Sequence, residues 1–278
     1  MAVMPKYSFA LPLDRLATIC FAYIVGIAVL ANDVHAENCD KKVYLTFDTG
    51  NMSVAQHVAD VLQKHQVKAT FFLANEMTTR GDFALDASWA DFWKRLVKDG
   101  HAFGSHTLHH TYFVRDGENG IYVKSQFGPK SGKLRLITGE TFCHDIKGVD
   151  ERFVQLTGRH LDLIWRAPGG KVSKQSIQFG QACGYAHVGW SESGFLGDEL
   201  PSEKFPNDHL LHKALQSIKP GDITMAHLGI WSRKDPWATA DLEPLILGLK
   251  AQGFCFGRIT ELGQHPKISR IMAKEKLQ

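Results

Sequence analysis

The first structural unit of the chain is predicted at Val43-Tyr44-Leu45-Thr46-Phe47, which is followed by Asp48-Thr49-Gly50. Five apolar or β-branched residues in a row predict a buried strand, and Asp-Thr-Gly predicts the turn that ends it. The segment after the turn carries apolar residues at helical spacing, so we expect a helix to follow the strand. These apolar positions are Val54, Val58, Val61 and Leu62.

The same strand-then-helix unit recurs roughly seven times along the chain. Further strands are predicted at Ala69–Leu73, Ala102–Ser105, Leu163–Trp165, Ala186–Trp190, Ile223–Ala226 and Phe254–Ile259. Helices are predicted near residues 89–98, 149–157, 173–182, 210–218 and 242–250. This alternation predicts an α/β fold, with a parallel sheet that is closed or nearly closed into a barrel and helices outside it.

One stretch, from about residue 115 to residue 140, departs from this alternation. It is rich in Gly, Lys and Ser and shows no clear apolar period. We therefore expect a long surface loop that is inserted into the domain and faces the substrate.

The first 36 residues have the pattern of a secretory signal. Lys6 and Arg15 precede the uncharged run Leu16–Leu30, and Val34 and Ala36 occupy the positions that signal peptidase reads. The run is shorter than the ~20 apolar residues of a membrane span, so an uncleaved anchor is the second reading. We expect a catalytic domain over residues 37–278 that is secreted or periplasmic and meets the membrane only through this segment.

Composition excludes one class of partner, and the cysteine spacing argues against a zinc knuckle. The chain is 44% hydrophobic and 22% charged with a net charge of +3, and it has neither a run of like charges nor a basic stripe with interleaved aromatics. Nucleic acid is therefore not an expected partner. Four cysteines follow the signal, none in a C-x-x-C pair, so disulfides are favoured over a zinc knuckle. Cys39 and Cys255, beside the first and last strands, are the favoured pair, although the sequence does not fix the connectivity.

Four polar residues each follow a predicted strand: Asp48, His106, Arg166 and His227. The carboxyl ends of parallel strands share one end of a barrel, so the four side chains can meet in one cleft. Each also has an ordinary structural interpretation, as a turn former, an ion-pair partner or a core histidine. Taken together, their order favours a general base at Asp48, held ionised by Arg166, and a general acid at His227.

His106 and His110 add a candidate metal site. At positions i and i+4 on a helical turn, both imidazoles would project from one face and could share a metal ion. The spacing alone is a weak signal, because His109 shows that histidine is simply frequent here.

Five ordered motifs give the chain a family resemblance. They are Thr46-Phe47-Asp48-Thr49-Gly50, His106-Thr107-Leu108-His109-His110, Arg166-Ala167-Pro168-Gly169-Gly170, Val188-Gly189-Trp190 and Met225-Ala226-His227. Over about residues 42–262 the chain resembles the NodB-type polysaccharide deacetylases, the fourth family of carbohydrate esterases.

The resemblance implies a distorted (β/α) barrel of seven or eight mostly parallel strands and a divalent metal ion, with zinc as the expected ion. It implies hydrolysis of N-acetyl groups on the amino sugars of a polysaccharide, with peptidoglycan or an exopolysaccharide as the expected substrate. The implied roles are a base at Asp48 that Arg166 orients, an acid at His227, metal ligands at His106, His110 and the Thr49 position, and an oxyanion donor at the Gly169 backbone N–H. Trp190, in the fourth motif, is expected at the substrate.

Three departures from the family pattern bear on these roles. Thr49 stands where the family has a second Asp as third metal ligand, and a neutral hydroxyl is a poorer ligand. The Asp that steadies the catalytic His after Trp190 is missing, and Glu192 or Asp198 is a candidate replacement. Gly169 stands where Tyr is frequent, which removes a side chain from the cleft wall.

Two further points stay open in the sequence. Trp231 and Trp237, after His227, either stack on sugar rings or pack a loop onto the barrel. The alternative functions are a non-catalytic carbohydrate-binding protein of the same fold that has lost its metal, and a deacylase or deformylase acting on another sugar substrate.

Overall fold

The structure is a computed structural model that describes residues 39–264. The predicted signal segment, residues 1–36, lies outside the described residues, so the expectations for it remain predictions. The strands are β1 (Lys42–Val43), β2 (Thr46–Asp48), β3 (Thr70–Leu73), β4 (Ala102–Ser105), β5 (Thr111–Gly117), β6 (Gly120–Ser125), β7 (Leu134–Ile137), β8 (Ile164–Trp165), β9 (Ala186–His187), β10 (Ala226–His227) and β11 (Cys255–Phe256). The α-helices are α1 (Ala55–Lys64), α2 (Ala90–Lys98), α3 (Gly139–Thr157), α4 (Lys174–Ala182), α5 (Asn207–Ser217) and α6 (Trp237–Ala251).

Six strands form the central sheet in the order β10-β2-β3-β4-β8-β9, and every neighbouring pair is parallel. Strands β1 and β11 form a separate parallel pair, and the chain runs from β1 directly into β2. The predicted α/β class with a mostly parallel sheet is confirmed. Within the described residues no continuous ladder joins the edge strands β9 and β10, and the segments beside them meet through a single parallel bridge between Phe195 and Met225.

A row of phenylalanines explains why β2, β3 and β4 lie side by side. Phe47, Phe71 and Phe103 are register partners, and their ring centroids are 5.6 and 5.9 Å apart. All three are buried in the main hydrophobic core. Each contributes about 1.5–3 kcal/mol through burial. Because side chains alternate along a strand, Asp48, next to Phe47, points to the opposite face of the sheet.

Residues 115–140 correct the prediction of a long loop. Strands β5, β6 and β7 form an antiparallel sheet, and α3 then begins at Gly139, about ten residues earlier than predicted. Ile121 and Val123 are fully buried in a second cluster with Trp165, and their neighbours on β6 point outward. This period of two is short and is interrupted by Gly-rich turns, which hid it in the sequence.

The described part of the chain contains two disulfides. Cys39 is joined to Cys255, as favoured from the sequence, and Cys143 to Cys183. The first ties the start of the described chain to β11, and the second ties α3 to the residue after α4. In the described part of the chain, no helix has both the length and the apolar character needed to cross a membrane.

Candidate active site

Asp48 and Arg166 form a buried ion pair at the carboxyl ends of β2 and β8. Arg166 Nη1 donates to Asp48 Oδ1 at 2.9 Å and to Thr46 Oγ1 at 2.7 Å. The rest of the guanidinium donates to the backbone carbonyls of Val188 and Gly189, at 3.2 and 3.0 Å. Arg166 is fully buried and Asp48 is 2% exposed. A guanidinium held on all sides fixes the carboxylate that it contacts.

The surroundings of Asp48 keep it ionised. Burial alone would raise the pKa of this carboxyl, but the attraction of His106 in its protonated form, the positive charges of Arg166 and His227 and the Arg166 hydrogen bond outweigh it and lower the pKa. Of these groups, Arg166 stays charged at every physiological pH. Asp48 is therefore a carboxylate at neutral pH, with one oxygen held by Arg166.

His106 and His110 come together through a loop rather than the predicted helical turn. Residues 106–110 form a turn, in which the His110 N–H donates to the Thr107 carbonyl at 3.3 Å, and no α-helix; Thr107 and His110 adopt positive φ values of 61° and 48°. The two rings nevertheless lie with centroids 4.9 Å apart, whereas His109 is directed at Asp145, 2.7 Å away. Two non-glycine residues in the left-handed region are a strain of the kind that concentrates at functional sites.

His106 is neutral, and its proton position follows from its contacts. Its Nδ1 lies 3.0 Å from the carbonyl oxygen of Arg166, which can only accept, so Nδ1 carries the hydrogen. Burial is the main cause that lowers the pKa of His106 to about 4, against the opposing charges of Asp48 and Glu76. Nε2 is therefore an acceptor, and it lies 3.5 Å from Asp48 Oδ2.

These contacts test whether the site suits a metal ion. Two acceptors, His106 Nε2 and Asp48 Oδ2, face each other without a proton between them, and the buried Nδ1 of His110 has no hydrogen-bond partner. Donor atoms of this chemistry fit a divalent cation. In residues 39–264, however, no three His, Cys, Asp or Glu side chains are arranged to hold a metal ion together. The site therefore fits a cation held by fewer protein ligands than a closed site supplies.

Thr49, the predicted third ligand, is engaged elsewhere, which corrects that expectation. Its hydroxyl donates to Glu76 Oε1 at 2.5 Å and accepts from the Ala74 N–H at 3.1 Å. The same Glu76 oxygen accepts from the Gly50 N–H at 2.9 Å. Sequence reasoning missed Glu76, a 7% exposed carboxylate. The signal available was its place three residues beyond β3, at the same end of the sheet as Asp48.

His227 lies beside Asp48 and is held by Asp198. His227 is the register partner of Asp48 across β10 and β2. Asp198 accepts from the His227 backbone N–H at 2.7 Å, and both its oxygens lie 3.1 Å from Nδ1. Of the two acidic residues left open by the sequence, buried Asp198 contacts the histidine, whereas Glu192 is exposed on a 3-10 turn.

The carboxylates around His227 keep it protonated. Burial would lower the pKa of His227, but the charge and hydrogen bond of Asp198, with the charges of Asp48 and Glu199, raise it to about 10. Asp198 contacts the ring at Nδ1, so Nε2 is the nitrogen that is left to donate a proton to a substrate. A protonated histidine and an ionised aspartate on adjacent strands form an acid–base pair.

The predicted oxyanion donor Gly169 and the predicted substrate-binding residue Trp190 lie against different neighbours. Gly169 has a φ of +66°, and a Cβ there would lie 3.1 Å from Cε1 of Tyr112, so a side chain from β5 fills the space beside it. Trp190 packs against Gly170, with its ring centroid 5.6 Å from the Arg166 guanidinium.

The two tryptophans after His227 also differ from each other. Trp231 is 59% exposed and lines a cavity of about 180 Å³ together with His227 and Asp198. Trp237, at the start of α6, is 2% exposed and packs in the main core. The packing interpretation therefore applies to Trp237, and Trp231 remains available to a ligand.

Comparison with known proteins identifies the family. A sequence profile described as polysaccharide deacetylase matches residues 35–188, more than half of the 278-residue chain. The chain belongs to the polysaccharide deacetylase family. The resemblance drawn from the five motifs is thereby confirmed, and the match includes the segments that carry Asp48, His106 and Arg166.

Individual relatives support the same assignment. The peptidoglycan-N-acetylmuramic acid deacetylase PdaA of Bacillus subtilis is 29% identical over 227 residues, which cover 80% of this chain and 72% of the relative. Its solved structure, described as a family 4 carbohydrate esterase, matches with a TM-score of 0.56 at 26% identity over 81% of this chain and 82% of that one.

Two other solved structures share the fold. A family 4 pseudoenzyme from Bacillus anthracis matches with a TM-score of 0.58 at 20% identity, over 80% of this chain and 65% of that one. A family 4 acetyl xylan esterase from Clostridium thermocellum, in complex with a cobalt ion, matches with a TM-score of 0.59 at 22% identity, over 81% and 91%. Identities this low show the shared fold alone.

Proposed function

We propose that this polysaccharide deacetylase removes N-acetyl groups from the amino sugars of a polysaccharide, either peptidoglycan or an exopolysaccharide. The observation that carries the proposal is the pairing of Asp48 with His227 across adjacent strands, each with its own buried partner. A general base and a general acid side by side are what hydrolysis of an amide requires.

The chemistry of the two groups follows from their charge states. Asp48, ionised and oriented by Arg166, accepts a proton from the water that attacks the acetyl carbon. His227, protonated because of Asp198, donates a proton to the departing sugar amine, which cannot leave as an anion. In this proposal the Gly169 backbone N–H stabilises the oxyanion, and one such donor contributes about 3–4 kcal/mol.

We include metal dependence in the proposal, with zinc as the expected ion. His106, through Nε2, and His110 would hold the ion, with Asp48 Oδ2 beside it. A bound divalent ion would polarise the water and the amide carbonyl. His106 Nδ1, bonded to the Arg166 carbonyl, keeps the ring in the tautomer that leaves Nε2 free for this role.

We also propose that the protein acts outside the cytoplasm, secreted or in the periplasm. The pattern of residues 1–36 supports export. The disulfides Cys39–Cys255 and Cys143–Cys183 support an oxidising compartment.

Acetate release from a panel of acetylated polymers, paired with elemental analysis of the purified protein, tests the activity. The panel includes peptidoglycan, chitin oligomers and an acetylated exopolysaccharide, with N-formyl sugars to expose a deformylase. We expect acetate from at least one polymer, loss of that activity in Asp48→Asn and His227→Ala, and folded spectra for both variants. Full activity in either variant would refute the assigned roles.

A non-catalytic carbohydrate-binding protein is the second candidate. The Thr49–Glu76 hydrogen bond favours it, because the position of the usual third metal ligand is occupied by a neutral, engaged side chain. Polymer binding without acetate release, from protein supplied with excess zinc, would establish this candidate in place of the first.

A further inference from the structure

The antiparallel sheet of β5, β6 and β7 has one face in the core and one in solvent. The face in solvent, called the outer face below, consists of two cross-strand rows. They are Tyr112–Lys124–Leu134 and Arg115–Tyr122–Leu136. Leu134 and Leu136 are 56% and 51% exposed, and Tyr112 is 38% exposed. Large apolar groups grouped on a solvent face commonly mark an interaction surface.

The outer face begins at the candidate active site. The Tyr112 ring stands edge-on to His110, with centroids 4.9 Å apart, and it fills the space beside Gly169. The Tyr112 hydroxyl donates to Gln126 Oε1 at 3.3 Å. Tyr112 therefore joins the candidate active site to this sheet, so a polymer at the site has a continuous surface over which it can extend.

The sheet is also strongly basic. Residues 111–137 contain five basic residues, Arg115, Lys124, Lys130, Lys133 and Arg135, and two acidic ones, Asp116 and Glu118, a net charge of +3. That equals the net charge of the entire chain. Both acidic residues lie toward the β5–β6 turn, at the end away from Tyr112, and Asp116 accepts a hydrogen bond from Ser173.

A depression of about 430 Å³ lies where the aromatic and basic groups meet. It is lined by Tyr112, Lys124, Ser125, Gln126, Ser131 and Gly132. In the second row, the Arg115 guanidinium lies 3.5 Å from the Tyr122 ring centroid, which holds a cation flat against the sheet. Aromatic and leucine side chains suit the C–H faces of sugars, and the adjacent ammonium and guanidinium groups suit carboxylates.

We propose that the outer face binds the glycan strand of the substrate on one side of the reacting sugar, and that this strand carries carboxylate groups. Tyr112 is then a substrate-positioning residue, supplying from β5 the cleft-wall side chain that Gly169 lacks. Lys124 and Arg115 select an acidic glycan over a neutral one. The inference rests on the proposed function and names the substrate class for it.

Binding measured by calorimetry to two oligosaccharides of matched length tests the inference. One alternates glucuronate with N-acetylglucosamine, and the other is the neutral hexamer of N-acetylglucosamine. We expect Lys124→Gln to weaken binding of the acidic oligosaccharide about threefold, as for an exposed ion pair, and to leave the neutral one unchanged. Added salt should reduce the same preference. Lys213→Gln, on α5, is the matched charge control.

Substitutions of Tyr112 and Leu134 test whether the apolar part of the outer face contributes to binding. Tyr112→Ala should weaken both oligosaccharides about fivefold, the scale of one aromatic contact, and Tyr112→Phe should restore binding. Leu134→Ser should weaken both, whereas Leu247→Ser, an equally exposed leucine on α6, should weaken neither.

Acetate release is measured separately so that the two proposals fail independently. If Lys124→Gln and Leu134→Ser bind both oligosaccharides as their controls do, the inference about the outer face is wrong, whatever the activity. An equal affinity of the wild type for both oligosaccharides would overturn the selection for carboxylates. If the binding pattern appears and no polymer releases acetate, the proposed function fails and the binding surface stands.

Discussion

The Thr49 hydroxyl donates a hydrogen bond to Oε1 of Glu76 at 2.5 Å. A neutral side chain bonded to a buried carboxylate therefore stands at the position where the family has an aspartate. Glu76 also accepts the Gly50 N–H, which ties it to the turn after β2. A second carboxylate at position 49 would therefore face Glu76 directly. Because Thr49 and Glu76 contact each other, substitutions at the two positions have to be tested together.

Thr49→Asp should destabilise the protein by about 1–3 kcal/mol, because a buried acceptor loses its donor and faces a like charge. Thr49→Asp/Glu76→Gln should recover most of that loss, since the amide can donate to the new carboxylate. The double variant should also bind zinc at least tenfold more tightly than the wild type, because an anionic oxygen is added beside the two imidazoles. Urea unfolding and metal titration measure the two effects. A fully stable Thr49→Asp single variant would show that Glu76 is not in contact with position 49.

Asp198→Asn should move the pH profile of the enzyme to lower pH. Asp198 is the largest of the causes that raise the pKa of His227 from its ordinary 6.5 to about 10, and without it only Asp48 and Glu199 oppose burial, so that pKa should fall. Less His227 is then protonated at a given pH, and on the alkaline side kcat should fall by as much as about 10²-fold, the scale of general acid catalysis. Glu192→Gln, which changes the other candidate acid, should leave the profile in place.

The same pair sets a pH dependence of stability with a definite sign. The folded pKa of His227 lies above its ordinary value of 6.5, so its stabilisation is complete below about pH 6.5 and is lost as the pH rises toward 10. The free energy of unfolding should decline over that interval in the wild type and decline less in Asp198→Asn. Chemical unfolding at a series of pH values measures it, and identical slopes in the two proteins would contradict the assignment.

Arg166→Met should cost about 3–5 kcal/mol of unfolding free energy, because it leaves Asp48 buried without its cation. Adding Asp48→Asn to Arg166→Met should return part of the loss, since the uncompensated charge is removed as well. Arg152→Met is the control, because Arg152 is an exposed partner of Asp86 at 3.9 Å, and exposed pairs contribute at most about 1 kcal/mol. Thermal and urea unfolding of the three variants and the wild type measure these differences.

Both disulfides should be present in protein recovered from an oxidising compartment. Peptide mapping without reduction should recover Cys39 linked to Cys255 and Cys143 linked to Cys183. Cys143→Ser/Cys183→Ser should lower the unfolding free energy by about 2–4 kcal/mol, chiefly by freeing the unfolded chain. Free thiols at all four positions would contradict both the connectivity and the proposed compartment.

The strand-then-helix order and the polar residues at the strand ends were predictable from the sequence. Phe47 and Phe71 sit in apolar runs, and Asp48, His106, Arg166 and His227 come directly after such runs, so short windows contain the signal. Parallel strands then place their carboxyl ends together whatever the helices between them contain, which is why four scattered residues could be assigned to one cleft.

The fold class, the family and the principal polar residues of the site could be predicted from the sequence, because apolar periodicity and motif order are local properties. Three contacts became visible only in the folded chain: Asp198 rather than Glu192 holds His227, Glu76 engages Thr49, and Tyr112 fills the space beside Gly169. Each of these contacts joins residues that are 27 to 57 positions apart in the chain. Asp198 and Glu192 are close in sequence, and they differ in that Asp198 is buried. Such choices depend on how the elements pack, and no local pattern of residues contains that information.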